Sequence, residues 1–308
     1  MIDHIKVESL GYFYPELSGG KEFDRSQDFE KFGILFSRQH NRNGNYAYHV
    51  GSFGNLLVKI NGRSVSIENS LHKFYHGNNY SNFTHSEINN AIEMIEEQFK
   101  IPSADFKIKS LEVGINIGYS SQLFEFCKLY IMDEFDKMRK GNKVYGKKVY
   151  KSEYDFKVYD KPLETKLNSE STLIDVFGKS IDLPEGINRI EAKFKKMRPI
   201  SSIVSTLNDL KSSVNLENLG NKLVGYFDNA NMRKQYDYTT LTPRQQELFF
   251  AGFERDFWKE TKMNTHTRKK KRREWKKCIA IMDEALNNNP KQEFRDLMLG
   301  KINYLTSN

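Results

Sequence analysis

The chain has 308 residues, 38% of them hydrophobic and 29% charged, which is enough for one large domain or two ordinary ones and for a sizeable core. That balance excludes a disordered chain, and no apolar stretch approaching ~18 residues and no signal-peptide pattern occurs, so the expectation is a cytoplasmic protein without membrane association. A formal net charge of +8 favours a polyanionic partner, nucleic acid first, and the two distant cysteines, Cys127 and Cys278, form no zinc pattern.

In chain order, "MIDHIKVESL" opens as an extended segment. "GNLLVKINGRSVSIENS" predicts a hairpin around Asn61-Gly62, a pair that favours the positive φ of a two-residue turn. "THSEINNAIEMIEEQFK" predicts a helix: Thr84 and Glu87 make a capping box, and Ile88, Ile92, Ile95 and Phe99 follow at helical spacing. "FKIKSLEVGINIGY" alternates strictly and predicts a strand with Leu111, Val113, Ile115 and Ile117 on one face. "SSQLFEFCKLYIMDEFDKMRKG" predicts a second amphipathic helix closed by Gly141. Strands are expected near 144–151, 154–160 and 187–196. Beyond Pro199 the pattern turns to helices and loops, which divides the chain into residues 1–200 and a helical, basic region 201–308; a core continuing across that boundary is the alternative. The aromatics Phe249, Phe250, Phe253 and Trp258 repeat at helical spacing and are expected in a core. The fold class is α+β: an antiparallel-rich sheet with helices on one face and a site on the other, followed by a helical C-terminal region.

Three strands carry chemistry on their polar side. Glu112 and Asn116 oppose the Leu111–Ile117 face. In "DFKVYDK", Phe156 and Val158 take one face while Asp155, Lys157, Tyr159 and Lys161 take the other. In "INRIEAKFKK", Ile190, Ala192 and Phe194 oppose Arg189, Glu191, Lys193 and Lys195. A solvated sheet face alternates in the same way. The combination is more specific, because paired carboxylates suit a hard divalent ion such as Mg²⁺ or Mn²⁺ and neighbouring cations suit phosphates. A phenol in that setting could attack phosphorus.

The succession "MIDHIKV", "SLHKFYHGNNY", "SLEVGINI", "FKVYDKPLE" and "INRIEAKFKK" resembles the rolling-circle replication initiators of filamentous phages, plasmids and related mobile elements, over roughly residues 1–215. The resemblance implies an enzyme that nicks DNA at a single-stranded or hairpin origin, forming a 5′-phosphotyrosine link and freeing a 3′-OH to prime synthesis. It makes Tyr159 the nucleophile with Lys161 beside it, and Glu112 and Glu191 metal ligands. Lys73, Asn79, Arg189 and Lys193 would position DNA. It also implies a host helicase as partner, since the chain has no phosphate-binding P-loop of its own.

Two departures stand out. The His-hydrophobic-His metal motif of many such nickases is missing, and His72 and His76 are four apart; His72 is the candidate ligand because it continues the polar Ser66, Glu68, Ser70 face of a strand. No Tyr-x3-Tyr pair exists either, so termination needs a second subunit, as in a homodimer, or another acceptor. Further on, the run Arg268, Lys269, Lys270, Lys271, Arg272 and Arg273, with Trp275, is expected to form a cationic helix tracking a phosphate backbone. Two other functions share these residues: a non-catalytic DNA-binding regulator, and a strand-transfer protein of a mobile element using the same chemistry.

Overall fold

A computed structural model gives the fold, and it describes residues 1–10, 27–61, 64–118, 127–129, 136–168, 186–232, 238–259, 263–284 and 290–308. The class is α+β, with eight α-helices among the described residues and an antiparallel sheet of eleven strands. Its strands are β1 (Ile2–Leu10), β2 (Phe29–Lys31), β3 (Ile34–His40), β4 (Tyr46–Phe53), β5 (Leu56–Ile60), β6 (Ser64–Ser70) and β7 (Lys107–Gly118), then β9 (Asp136–Lys140), β10 (Lys143–Tyr150), β11 (Tyr154–Asp160) and β12 (Ile187–Phe194). They lie in the order β2-β3-β4-β5-β6-β1-β7-β12-β11-β10-β9. The short strands β8 (Cys127–Leu129) and β13 (Ala230–Met232) pair separately.

The predicted hairpin exists as β5 and β6, joined with Ile60 opposite Val65, though Gly62 lies outside the described residues. The Thr84 helix exists too, as α2 (His85–Phe99), after the short α1 (Leu71–His76). Its cap forms as the spacing implies: the Thr84 backbone N–H donates to the Glu87 carboxylate at 2.8 Å. Ile88, Ile92, Ile95 and Phe99 all face the core.

The second amphipathic helix is a correction. Within that stretch 127–129 and 136–140 are strands, and the remainder lies outside the described residues apart from Gly141. Gly141, with φ +58°, is in the turn that joins β9 to β10, where Lys140 pairs with Lys143. A helix C-cap and a hairpin turn both want a glycine at positive φ, so this residue cannot distinguish them.

Core side chains alternate along the strands: Ile5 and Val7, Val58 and Ile60, Val65 and Ile67, Leu111 to Ile117, Phe156 and Val158, Ile190 to Phe194. Helix α2 adds Ile88, Ile92, Ile95 and Phe99 to this core, and α4 (Ser213–Asp228) and α8 (Pro290–Ser307) add Leu216, Leu219, Leu223, Phe227, Phe294, Met298 and Ile302. The core therefore runs across residue 200. Between α4 and α8 a smaller cluster gathers Leu241, Phe249, Cys278 and Met282 from the segment before α5 (Pro243–Ala251), from α5 itself and from α7 (Thr265–Glu284). Trp258, on α6 (Arg255–Lys259), and Trp275 are buried against each other beside it, and their indole N–H groups donate to Gly252 O and Phe249 O. Phe250, expected in this core, is instead half exposed on the outer side of α5. Among the described residues no helix is long and apolar enough to cross a membrane.

Candidate functional site: a buried carboxylate cluster beside Tyr159

The registers of β7, β12 and β11 set the site. Glu191 sits between Gly114 and Lys157, Arg189 between Asn116 and Tyr159, and Lys193 between Glu112 and Asp155. Because side chains alternate, these residues leave the sheet on the side opposite Ile115, Ile190 and Val158. Gly114 shares their face, and a Cβ there would fall 2.9 Å from Glu191 Cγ and 3.1 Å from Arg189 Nη2. Its missing side chain is the space those two occupy.

Asp3 completes the cluster, and alternation along its strand does not predict it. Counted by twos, it belongs with Ile5 and Val7 on the core face. The register of β1 against β7 slips, however, with Ile2 opposite Val113 and Ile5 opposite Leu111. Two residues, Asp3 and His4, thus face the single Glu112, and such a bulge re-aims a side chain. A carboxylate at a core-parity position was the one signal in the sequence. Carboxylate oxygens of Asp3, Glu112 and Glu191 lie within 4.8 Å of one another, and all three residues are buried.

Two cations stand among them. Lys157 Nζ donates to Glu191 at 2.6 Å and to Glu112 at 3.3 Å. Arg189 donates from Nε to Glu191, from Nη2 to Asp3 at 2.7 Å, and from Nη1 to Asn116 Oδ1 at 3.0 Å and Asn79 O at 3.2 Å. The Tyr159 hydroxyl donates to Glu191 Oε1 at 2.8 Å. Asp3 accepts further bonds from Ser70 Oγ and Asn79 Nδ2.

Three carboxylates against two cations leave one excess negative charge in a buried place. Burial and the Glu191 charge push the Glu112 carboxyl up to about 7, against the pull of Lys157. Burial would raise Glu191 as well, but Lys157 and Arg189 outweigh it and hold that carboxyl well below the usual range. Burial and the Glu191 charge raise the Tyr159 phenol well above its ordinary value. Oxygen donors at this spacing, with an unbalanced negative charge, fit a hard divalent cation. Asp3, Glu112 and Glu191 are the residues that would hold such an ion, and Lys157 lies between the last two. The side chains of Lys157 and Glu112 are 16% and 10% exposed, which makes this edge the route to solvent.

The other expected residues divide. Asn79 joins the cluster through Asp3 and Arg189. Lys193 is half-buried beside Glu112 on the same face. Lys161 is not on the strand but begins α3 (Lys161–Asn168); its ammonium donates to Glu164 at 2.9 Å and lies 5.9 Å from the Tyr159 ring centroid. His72 and Lys73 are on helix α1 rather than on a continuation of β6, which ends at Ser70. Four-residue spacing on a helix brings His72 and His76 together, ring centroids 5.4 Å apart. His72 stacks on Phe83 and contacts Ser81 Oγ, and burial holds its imidazole far below the ordinary value; it is not part of the carboxylate cluster. Lys73 is exposed.

The cationic run 268–273 lies on α7 and splits by face. Arg268 is half-buried, Lys271 lies over the Phe257 ring, and Arg272 over Trp258, while Lys269, Lys270 and Arg273 are exposed together with Lys276 and Lys277. Trp275, expected on the cationic side, points inward. No protein-family model matches the chain, and no curated protein matches it.

Proposed function

We propose that the protein is a metal-dependent DNA-nicking and joining enzyme of the rolling-circle type. The observation that carries this reading is the hydrogen bond from the Tyr159 hydroxyl to Glu191, inside a cluster of three carboxylates, a lysine and an arginine. Phosphate binding alone gains nothing from acids on the binding face. An acidic cluster that meets a phenol suits a reaction in which a phenol attacks phosphorus.

Asp3, Glu112 and Glu191 would hold Mg²⁺ or Mn²⁺. When bound, that ion polarises a phosphoryl oxygen and offsets charge developing there. The remaining work belongs to the chain. Glu191 orients the phenol by accepting its hydrogen bond, and the phenolic proton passes to solvent as the Tyr159 oxygen forms a bond to phosphorus. The bond from phosphorus to the 3′-oxygen breaks, and that oxygen leaves as a 3′-OH after taking a proton from water. Arg189, locked by Asp3 and Asn116, keeps Glu191 aimed at the phenol. Lys157, at the solvent-facing edge of the cluster, would pair with the phosphate. The exposed face of α7 would hold flanking DNA, and a host helicase would unwind the duplex.

A second reading, a DNA-binding protein that does not cut, draws on the burial of Tyr159, which is only 5% exposed with its hydroxyl already bonded. The two separate on a denaturing gel. With Mn²⁺ and single-stranded, hairpin-forming oligonucleotides, the wild-type protein is expected to give a covalent adduct and Tyr159→Phe none. An adduct that survives Tyr159→Phe removes Tyr159 as nucleophile, and no adduct with any oligonucleotide favours the binding protein.

A further inference from the structure

The sheet ends in a hairpin whose charges oppose its own stability. Strands β9 and β10 pair Lys140 with Lys143 and Lys137 with Lys147, Arg139 stands opposite Val144, and only Lys148, opposite Asp136, meets an opposite charge across the described ladder. Like charges directly across an antiparallel pair are destabilising. Lys137, Arg139, Lys140 and Lys143 are all exposed, and among the described residues none has an ion-pair partner. Lysines on an edge strand discourage aggregation. Here the cations occupy both faces and meet at the tip, across the turn at Gly141.

The hairpin is also next to Tyr159. Gly146 of β10 is paired with Tyr159, and Tyr145 meets the Tyr159 ring edge-on at 6.5 Å. From Gly146 to the tip at Lys143 the strand rises about 10 Å, at roughly 3.3 Å per residue. That span lets the cations of the hairpin follow a phosphate backbone away from Tyr159.

We infer that the β9–β10 hairpin is a nucleic-acid interface that holds the phosphates flanking the one presented to Tyr159. The inference rests on the proposed reaction for its direction, since Tyr159 fixes where the strand passes. Cations from both strands of the hairpin then pair with successive phosphates, and the bound polyanion relieves the repulsion between them. A single strand fits better than a duplex, because the tip extends only about three residues beyond its pairing with β11.

The test replaces Lys137, Arg139, Lys140 and Lys143 with glutamine together in the full chain. The probe is a labelled single-stranded oligonucleotide of mixed sequence, titrated over a range of salt. Binding is expected to weaken at least about ten-fold at moderate salt, and the salt slope to fall by about 1 to 3, given roughly 0.7 per single-strand phosphate contact. The thermal midpoint of the free protein is expected to rise, because the like-charge pairs are gone. A control variant, Lys6, Lys59, Lys109 and Lys222 to glutamine, is expected to keep the wild-type slope, since the first three already pair with Glu68 or Glu8. An unchanged slope in the hairpin variant, or an equal loss in the control, overturns the inference. A duplex bound more weakly by the hairpin variant with single-strand binding intact overturns the single-strand assignment. Binding is read without cleavage, so these outcomes do not depend on whether Tyr159 forms an adduct. Conversely, a Tyr159→Phe protein that binds normally but forms no adduct leaves the interface standing.

Discussion

Glu112 is the residue at which the charge imbalance of the cluster becomes measurable. Glu191 and Asp3 face it from β12 and β1, Lys157 and Arg189 supply the two cations, and His4 and Lys193 flank it. Its carboxyl rises from an ordinary 4.5 to about 7 on folding. The folded state therefore holds a proton that the unfolded chain releases, so stability is present below pH 4.5 and is lost as pH rises through about 7. In the metal-free protein Glu112→Gln is expected to be more stable than wild type at pH 8, by on the order of 3 kcal/mol, and to match it near pH 5. Denaturant melts at the two pH values check this. A variant less stable at pH 8 means that the ionised carboxylate is the stabilising form. Mn²⁺ at pH 8 is expected to raise the wild-type midpoint, and to raise that of Glu112→Gln much less, because one of three charged ligands is gone.

At the scale of single elements, alternation made β7, β11 and β12 legible, and with them Glu112, Glu191, Arg189 and Tyr159 on one face. Alternation could not supply Asp3, because a bulge changes parity through pairing with β7, a partner more than a hundred residues away. It failed in another way at 120–141, where short apolar runs suit a helix or a strand equally and Gly141 suits either ending. The sequence places His72 on a strand because nothing local marks the end of β6; Ser70, which caps α1 by accepting from Lys73 N–H at 3.0 Å, looks in sequence like one more polar strand residue. The close pairing of β10 and β11 yields its own prediction. A Cβ on Gly146 would come 2.3 Å from Tyr159 Cβ and 2.9 Å from Val158 O, both parts of one rigid strand. Gly146→Ala is expected to destabilise by about 1–3 kcal/mol and to abolish the Tyr159 adduct. Gly141→Ala strains only the turn, at φ +58° with nothing within 4 Å, and is expected to keep the adduct. Denaturant midpoints and adduct yield, measured on both variants, separate displacement of Tyr159 from general loss of stability.

Among its described residues the whole molecule has two unequal centres of packing, and this decides how far damage in one reaches the other. Helices α4 and α8 belong to the sheet's core, so the chain leaves that core after α4, builds the Leu241–Met282 cluster, and returns in α8. Trp275 anchors the excursion: it packs edge-on against Phe253 and Trp258, its N–H reaches Phe249 O, and Gly252 has no side chain because the indole fills that space. Truncating a buried tryptophan removes about 3–5 kcal/mol, more than a cluster this small contributes in excess. Trp275→Ala is therefore expected to unfold α5 and α7 locally while β7, β11 and β12 keep their protection from hydrogen exchange. The Tyr159 adduct should still form on a short oligonucleotide, since every group of the carboxylate cluster lies outside the excursion. Binding of longer DNA should lose part of its salt dependence, because Lys269, Lys270, Arg273, Lys276 and Lys277 no longer share one ordered face. Simultaneous loss of exchange protection in the strands and in α5 and α7 would mean that the two centres fold as a single unit. In that case the basic helix could not be a module placed beside the site, and its charges would have to be read as part of the nicking core itself.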